Sequence, residues 1–438
     1  MFQENQKNID NYFSNFTRVD IIYVIVSLTL LISAVIYTLI TLESIPMVFR
    51  LVFYMWIAFT IFKSNYFLPF ISSLFILDFY SIVPLQILPA EHIYSAIIIF
   101  ISLLLNMKRF KENYGIIKPY FSISAIFLIY ALSITLFNIG ESTKFILVVF
   151  IFILLLIYIP TEKKHVMIFY FSFIIASLLL TYQGMVQQNL NVDLEMANEE
   201  GSRLMWVDPN YLSLLIDMGI LLTLNLIFVV KEKMTRILLL LVFIFQCYIL
   251  FLLASRGGIL ACVLILLYLV NKQFTFSRII YFIITIFIAI ILLNQFGFFD
   301  LFLERLQDDN LSTAGERTII WSDLINELEQ RNFVELLFGS GSTSSWHIST
   351  SIGAITSPHN NYLEILVDYG IIGFLMFFSS LSMLFVKSNN SLSRSVILLV
   401  LIGALTLSPF NYYIPWLFIL FAIAYNNFQQ SVSIELNK

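Results

Sequence analysis

Four short stretches hold side chains that their apolar surroundings do not explain. "SPHNNYLEILVDYGIIGF", residues 357–374, opens with His359 and carries Asn360, Asn361, Glu364 and Asp368 before becoming an apolar run. "ASRGGILAC" sets Arg256 between two apolar runs, and "GERTIIW" places Glu316 and Arg317 after a polar segment. "GSRLMWVDPN" carries Arg203 and Asp208. The planar guanidinium fork of arginine can grip two oxygens of a phosphate. A neutral imidazole is suited to taking a proton near pH 7. Together these residue types suit a diphosphate held and stabilised by cations as it leaves, while a histidine deprotonates the attacking hydroxyl.

Each stretch also has a structural reading. Asp208 and Pro209 fit an N-cap followed by a first helical position, and Ser357, Pro358 and His359 predict the same start for a later helix. Arg256 could snorkel from a helix end, although an arginine so near hydrocarbon is costly unless paired. Gly257 and Gly258 permit a tight turn or a close helix approach. Glu316 and Arg317 could form a surface ion pair. At about 100° per residue, His359, Tyr362, Leu363, Leu366, Gly370 and Gly373 share one helix face. Gly370 and Gly373 would admit a neighbouring helix beneath the histidine. The positive end of the helix dipole and nearby arginines both disfavour imidazolium at His359. Asn360 or Glu364 could orient its ring.

These residues must be positioned by an almost wholly apolar framework. The 438 residues are 59% hydrophobic and 12% charged, with a mean hydropathy of +0.89. Runs long enough to cross a ~30 Å hydrocarbon core as helices recur along the chain. The fold class is therefore an all-α polytopic membrane protein of 12–14 transmembrane helices, and no alternating ten-residue pattern suggests a β-barrel. Spans are expected near 20–42, 46–62, 67–85, 92–107, 119–137, 145–160, 166–183, 207–230, 237–254, 257–271, 279–298, 361–386, 395–409 and 411–428. Residues 1–438 read as one integral membrane domain.

Charge placement orients it. With the N- and C-termini in the cytoplasm, most of the 24 Lys and Arg residues lie inside, among them Lys63, Lys108, Arg109, Lys118, Lys163, Lys164 and Lys387. The positive-inside rule selects this orientation. Arg50, Lys144, Arg203, Arg256, Arg305, Arg317 and Arg331 remain outside; Arg305 and Arg331 read as ordinary loop charges. Two long loops fall outside, at 184–206 and 299–360, and loops of that length often carry function. The second contains an amphipathic helix, with Ile320, Leu324 and Leu328 on one face, expected to lie on the outer surface. A Gly/Ser-rich linker follows it.

No phosphate-binding glycine loop or dinucleotide fingerprint is present, and the chain offers no nucleic-acid signature. His92, His165 and His347 are scattered, Cys247 and Cys262 lie in apolar runs, and neither a metal cluster nor a disulfide is expected.

In their order and spacing, "SRGG" at Arg256, "GERTIIW" at Arg317 and "SPHNNYLEILVDYGIIG" at His359 resemble the bacterial O-antigen polymerase and O-antigen ligase superfamily. "SRLMWVDPN" at Arg203 is similar to the family's segment ahead of the external loop. The resemblance implies a GT-C-like helical membrane fold in the bacterial inner membrane, with its site facing the periplasm or outside. It implies glycosyl transfer from undecaprenyl diphosphate without metal, nucleotide sugar or other cofactor, with inversion at the anomeric centre. Lipid-linked oligosaccharides would be donor and acceptor, and the bilayer and a chain-length regulator would be further partners. Arg203, Arg256 and Arg317 would contact the diphosphate and His359 would be the acceptor-activating base, with Asn360, Glu364 and Asp208 in orienting or acceptor-side roles. Polymerases and ligases share these motifs; a composition rich in Phe (44 residues) leans toward the polymerase. A ligase or protein O-glycan transferase is the alternative. A lipid-linked oligosaccharide flippase is the rival of another class, although no internal repeat supports it.

Overall fold

In the computed structural model, residues 16–41, 46–78, 104–137, 144–190, 209–253, 255–273, 317–341, 344–351, 358–408, 410 and 413–436 are described. Among the described residues the regular structure is helical throughout. Helices α1 (Arg18–Thr41), α2 (Met47–Phe62), α3 (Phe67–Asp78), α4 (Met107–Phe137), α5 (Lys144–Leu155) and α6 (Lys163–Leu190) form the first part of the chain. Helices α7 (Pro209–Val229), α8 (Lys233–Leu252) and α9 (Arg256–Gln273) follow. The segment between α9 and the next long helix supplies α10 (Arg317–Gln330), α11 (Phe333–Phe338) and α12 (Ser344–Ser351), and the chain continues with α13 (Asn361–Lys387), α14 (Ser391–Gly403) and α15 (Tyr413–Leu436). Without water in the hydrocarbon, only helices satisfy every backbone group within one segment. The apolar composition therefore settles the secondary structure.

Six helices among the described residues are long and apolar enough to cross a membrane, and α2 with α3 adds a pair bent by 113° around Lys63. The expected span at 279–298, and all of the one at 92–107 except its last four residues, lie outside the described residues. Several boundaries differ from expectation; the last helix, for one, runs to Leu436 rather than ending near 428. Helix α4 begins at Met107 and runs through Pro119 rather than starting there. Helix α6 continues to Leu190, so the segment expected to open the first external loop is helical.

The core sits where α7 is enclosed by α6, α8, α9 and α14, and where α15 packs on α5 and α6. Leu215, Ile216, Met218, Ile220 and Leu222 on α7 are essentially inaccessible, as are Leu417 to Phe421 on α15. The lysine-rich end is tied by a buried polar cluster. Asp20 is fully buried and accepts hydrogen bonds from the Thr17 backbone, the Thr17 hydroxyl and the Tyr66 hydroxyl. Lys164 Nζ lies 3.2 Å and His165 Nε2 3.3 Å from the same carboxylate. Arg109 donates to the Ser64 hydroxyl, and Asn113 Nδ2 donates to the Ile157 and Ile159 carbonyls at 3.3 and 3.2 Å. These bonds join α1, α4 and α6 at one end of the bundle. Arg256 and Arg317 stand at the starts of α9 and α10, away from this cluster.

Candidate active site

The site is organised around the turn at residues 404–408 and Phe410, between α14 and α15. The Asn361 backbone N–H lies 3.0 Å from the Ala404 carbonyl and 3.2 Å from that of Leu407. The Asn361 side chain accepts from Phe410 N at 2.9 Å and donates to Glu364 Oε2 at 2.8 Å. The Ser408 hydroxyl donates to the other Glu364 oxygen. Both Asn361 and Glu364 are buried, so their polar atoms require such partners. The N-terminus of α13 is thereby bolted to the turn.

The same turn receives two more of the sequence-predicted segments. Arg317, the first residue of α10, donates through Nη1 to the Thr406 carbonyl at 2.9 Å. Gly257 meets Thr406 closely enough that a Cβ there would lie 2.6 Å from its hydroxyl oxygen. Arg256 is the first residue of α9. The buried Ser255 before it accepts from Gly258 N at 3.2 Å and so caps that helix. Ser213, near the start of α7, donates to Ser255 at 3.2 Å. A Cβ on Gly258 would overlap the Ser213 side chain. The two glycines of "SRGG" thus act as close-approach residues, one toward the turn and one toward α7. Arg203 and Asp208 lie outside the described residues.

His359 differs from its expected placement. Helix α13 starts at Asn361, not at Pro358, and Asn360 is its N-cap, accepting from Tyr362 N at 3.0 Å and Leu363 N at 3.2 Å. His359 precedes the cap with φ of +50°, a left-handed conformation uncommon outside glycine. Such a conformation persists only when neighbouring contacts impose it. Here Trp321 Nε1 holds the Pro358 carbonyl at 2.8 Å on one side, and the Asn360 and Asn361 bonds hold the other. Trp321 stands one turn after Arg317 on α10. The histidine and that arginine are therefore carried by one mutually braced unit. The proposed cap, Ser357, lies outside the described residues.

The amphipathic helix also differs from expectation. Ile320 and Leu324 are buried against Val367, with Leu328, Ile348 and Leu363 around them, so the apolar face of α10 covers α12 and α13 rather than lying on the outer surface. Arg331 is not an ordinary loop charge. Its side chain is 3% exposed, and Nη1 donates to the Val367 carbonyl at 2.6 Å. Burial holds its guanidinium below the usual arginine range, opposed by Glu327, Asp368 and Glu335.

The bond to Val367 answers a break in α13. Gly370 has φ of +65°, outside helical geometry, within the helix. Ser340 N donates to Val367 O at 3.4 Å and Gly341 N to Asp368 O at 2.9 Å. The Tyr130 hydroxyl of α4 lies 2.8 Å from Tyr369 O and 3.2 Å from Phe338 O. The break thus exchanges intrahelical bonds for bonds to α4 and to the segment that carries α10 and α11. Gly370 admits the C-terminal end of helix α11, the close helix approach expected of it: a Cβ there would overlap the Leu337 carbonyl and meet Gly339 N at 2.5 Å. Gly373 is approached by α4, through Tyr130.

Sequence reasoning missed the turn and Trp321. The turn lies in "GALTLSPFNYY", which reads as a gap between two apolar runs; Ser408–Pro409 was the available turn signal. Among the described residues no group of His, Cys, Asp and Glu is arranged to hold a metal ion.

The fold and this site define a multi-pass, all-α membrane protein in which Arg317, the helix start at Arg256 and the His359–Asn361 segment are braced around one turn. Residues 239–378 match the family model described as O-antigen ligase, a segment that contains Arg256, Arg317 and His359. That match supports the O-antigen polymerase and ligase superfamily, and with it a membrane enzyme of the ligase or polymerase kind that uses lipid-linked oligosaccharides. No curated protein and no solved structure matches the chain.

Proposed function

We propose that the protein is a surface-polysaccharide polymerase of the bacterial inner membrane. It transfers a growing glycan from undecaprenyl diphosphate to a hydroxyl of the next lipid-linked repeat, at the periplasmic or outer face. The observation that carries this reading is the joint attachment of Arg317, the Arg256 helix start and the His359–Asn361 segment to one turn, around Thr406. Such bracing is what electrostatic catalysis requires, because donors fixed in advance need not reorganise as charge develops. Arg256 and Arg317, with Arg203, hold the diphosphate. His359 takes the proton of the acceptor hydroxyl as that oxygen attacks the anomeric carbon and the bond to the diphosphate oxygen breaks. The leaving electrons go to the diphosphate, and attack from the opposite face inverts the centre.

Ligation is the second reading, because the matching family is described as O-antigen ligase. The glycan profile of a deletion strain separates the two. Loss of the polymerase leaves single repeats on the surface acceptor. Long glycan stranded on the lipid carrier would instead make the protein a ligase, and single repeats trapped in the cytoplasm would make it a flippase.

A further inference from the structure

The loop segment that answers the break in α13 sits lower than an external loop should. Along α13 the rise from Lys387 to Gly370 is about 26 Å, and along α4 the rise from Lys118 to Tyr130 is about 18 Å. Both fall short of a ~30 Å hydrocarbon core. Lys118 and Lys387 are the cations nearest the inner end of those helices, so Gly370 and Tyr130 lie within the outer leaflet or at its edge. Open backbone at that depth must be satisfied by protein. Arg331, Ser340, Gly341 and Tyr130 meet that requirement at Val367, Asp368 and Tyr369.

Helix α11 is fastened between these bonds, its Phe338 carbonyl beside the Tyr130 hydroxyl. On its outward side Phe333 is 74%, Val334 62% and Phe338 40% exposed, with Glu335 exposed beside them. On α4, near Tyr130, Ile126 and Ile129 are likewise exposed. We propose that α11 is a membrane-dipping anchor, whose partner is the acyl-chain region of the outer leaflet. It sets the height of the external loop and hence of α10. The inference rests on depth and exposure and stands apart from the proposed chemistry.

Nitroxide labels test it directly. Cysteine is placed at Phe333, at Val334 and, as an exposed loop reference on α10, at Ser322, in a chain carrying Cys247→Ala and Cys262→Ala. The proteins are reconstituted into phosphatidylethanolamine and phosphatidylglycerol vesicles. Labels at 333 and 334 should collide several-fold more with dissolved oxygen than with a water-soluble nickel chelate, and the label at 322 should show the reverse. Preference for the nickel chelate at 333 and 334 would overturn the proposal. So would low collision with both reagents, which would mean that protein, such as a second copy of the chain, covers the face. If the cysteine-free chain fails to insert, Phe333→Trp in the native background serves instead. Its added emission should be quenched by lipids brominated along their acyl chains; emission left unquenched would equally contradict the anchor.

Discussion

At the scale of residues, the site depends more on bracing than on any one charged group. Asn361 shows this best. Truncation by Asn361→Ala leaves the buried Glu364 without one donor and the Phe410 N–H without its acceptor. A buried group left unsatisfied costs about 1–3 kcal/mol, so thermal unfolding in detergent should show a loss of about 2–4 kcal/mol. Activity should fall further than stability, because the same residue holds His359 beside the turn. The glycines of "SRGG" make a second prediction. Gly258→Ala drives a methyl into Ser213, and overpacking of this kind costs about 1–3 kcal/mol. Adding Ser213→Gly should restore most of the loss in the same unfolding assay. Failure of the double variant to recover would show that the contact is not the reason glycine is needed.

At the scale of elements, the sequence reveals helices well and their ends poorly. An apolar run of about 20 residues leaves a buried chain no alternative to helix, so α1, α7, α8 and α13 fall close to their expected places. Helix α4 extends before Pro119 because its first turns carry Lys108, Arg109, Lys111 and Glu112, which hydropathy alone reads as loop. The break at Gly370 left no trace in the apolar pattern; it depends on partners in a loop distant in sequence. Arg331 was misread for the same reason. The buried cluster around Asp20 was invisible too, since Asp20, Tyr66 and His165 are far apart in the chain. Asp20→Ala should lower stability by about 2–4 kcal/mol, because Tyr66, Lys164 and His165 lose a shared buried partner. Restoration by Asp20→Glu to less than half of that loss would fit the tight geometry, and unchanged unfolding of Asp20→Ala would show that the cluster does not hold α1 to α6.

At the scale of the whole molecule, two polar regions are chemically distinct. One is a carboxylate-centred cluster beside the lysines; the other gathers a histidine and arginines around a turn. His359 was legible in the sequence as a residue without a structural excuse. Its left-handed backbone and the Thr406 turn were not, since neither leaves a local pattern. The central claim is that this second region performs a metal-free glycosyl transfer from a lipid diphosphate. The most direct measurement is made on purified protein in vesicles, supplied with undecaprenyl-diphosphate-linked repeats and excess EDTA. The account predicts lengthening glycan chains with release of undecaprenyl diphosphate, abolished in His359→Ala and Arg317→Ala while both variants still insert. Full-length polymer from His359→Ala, or elongation that stops on chelation, would contradict it.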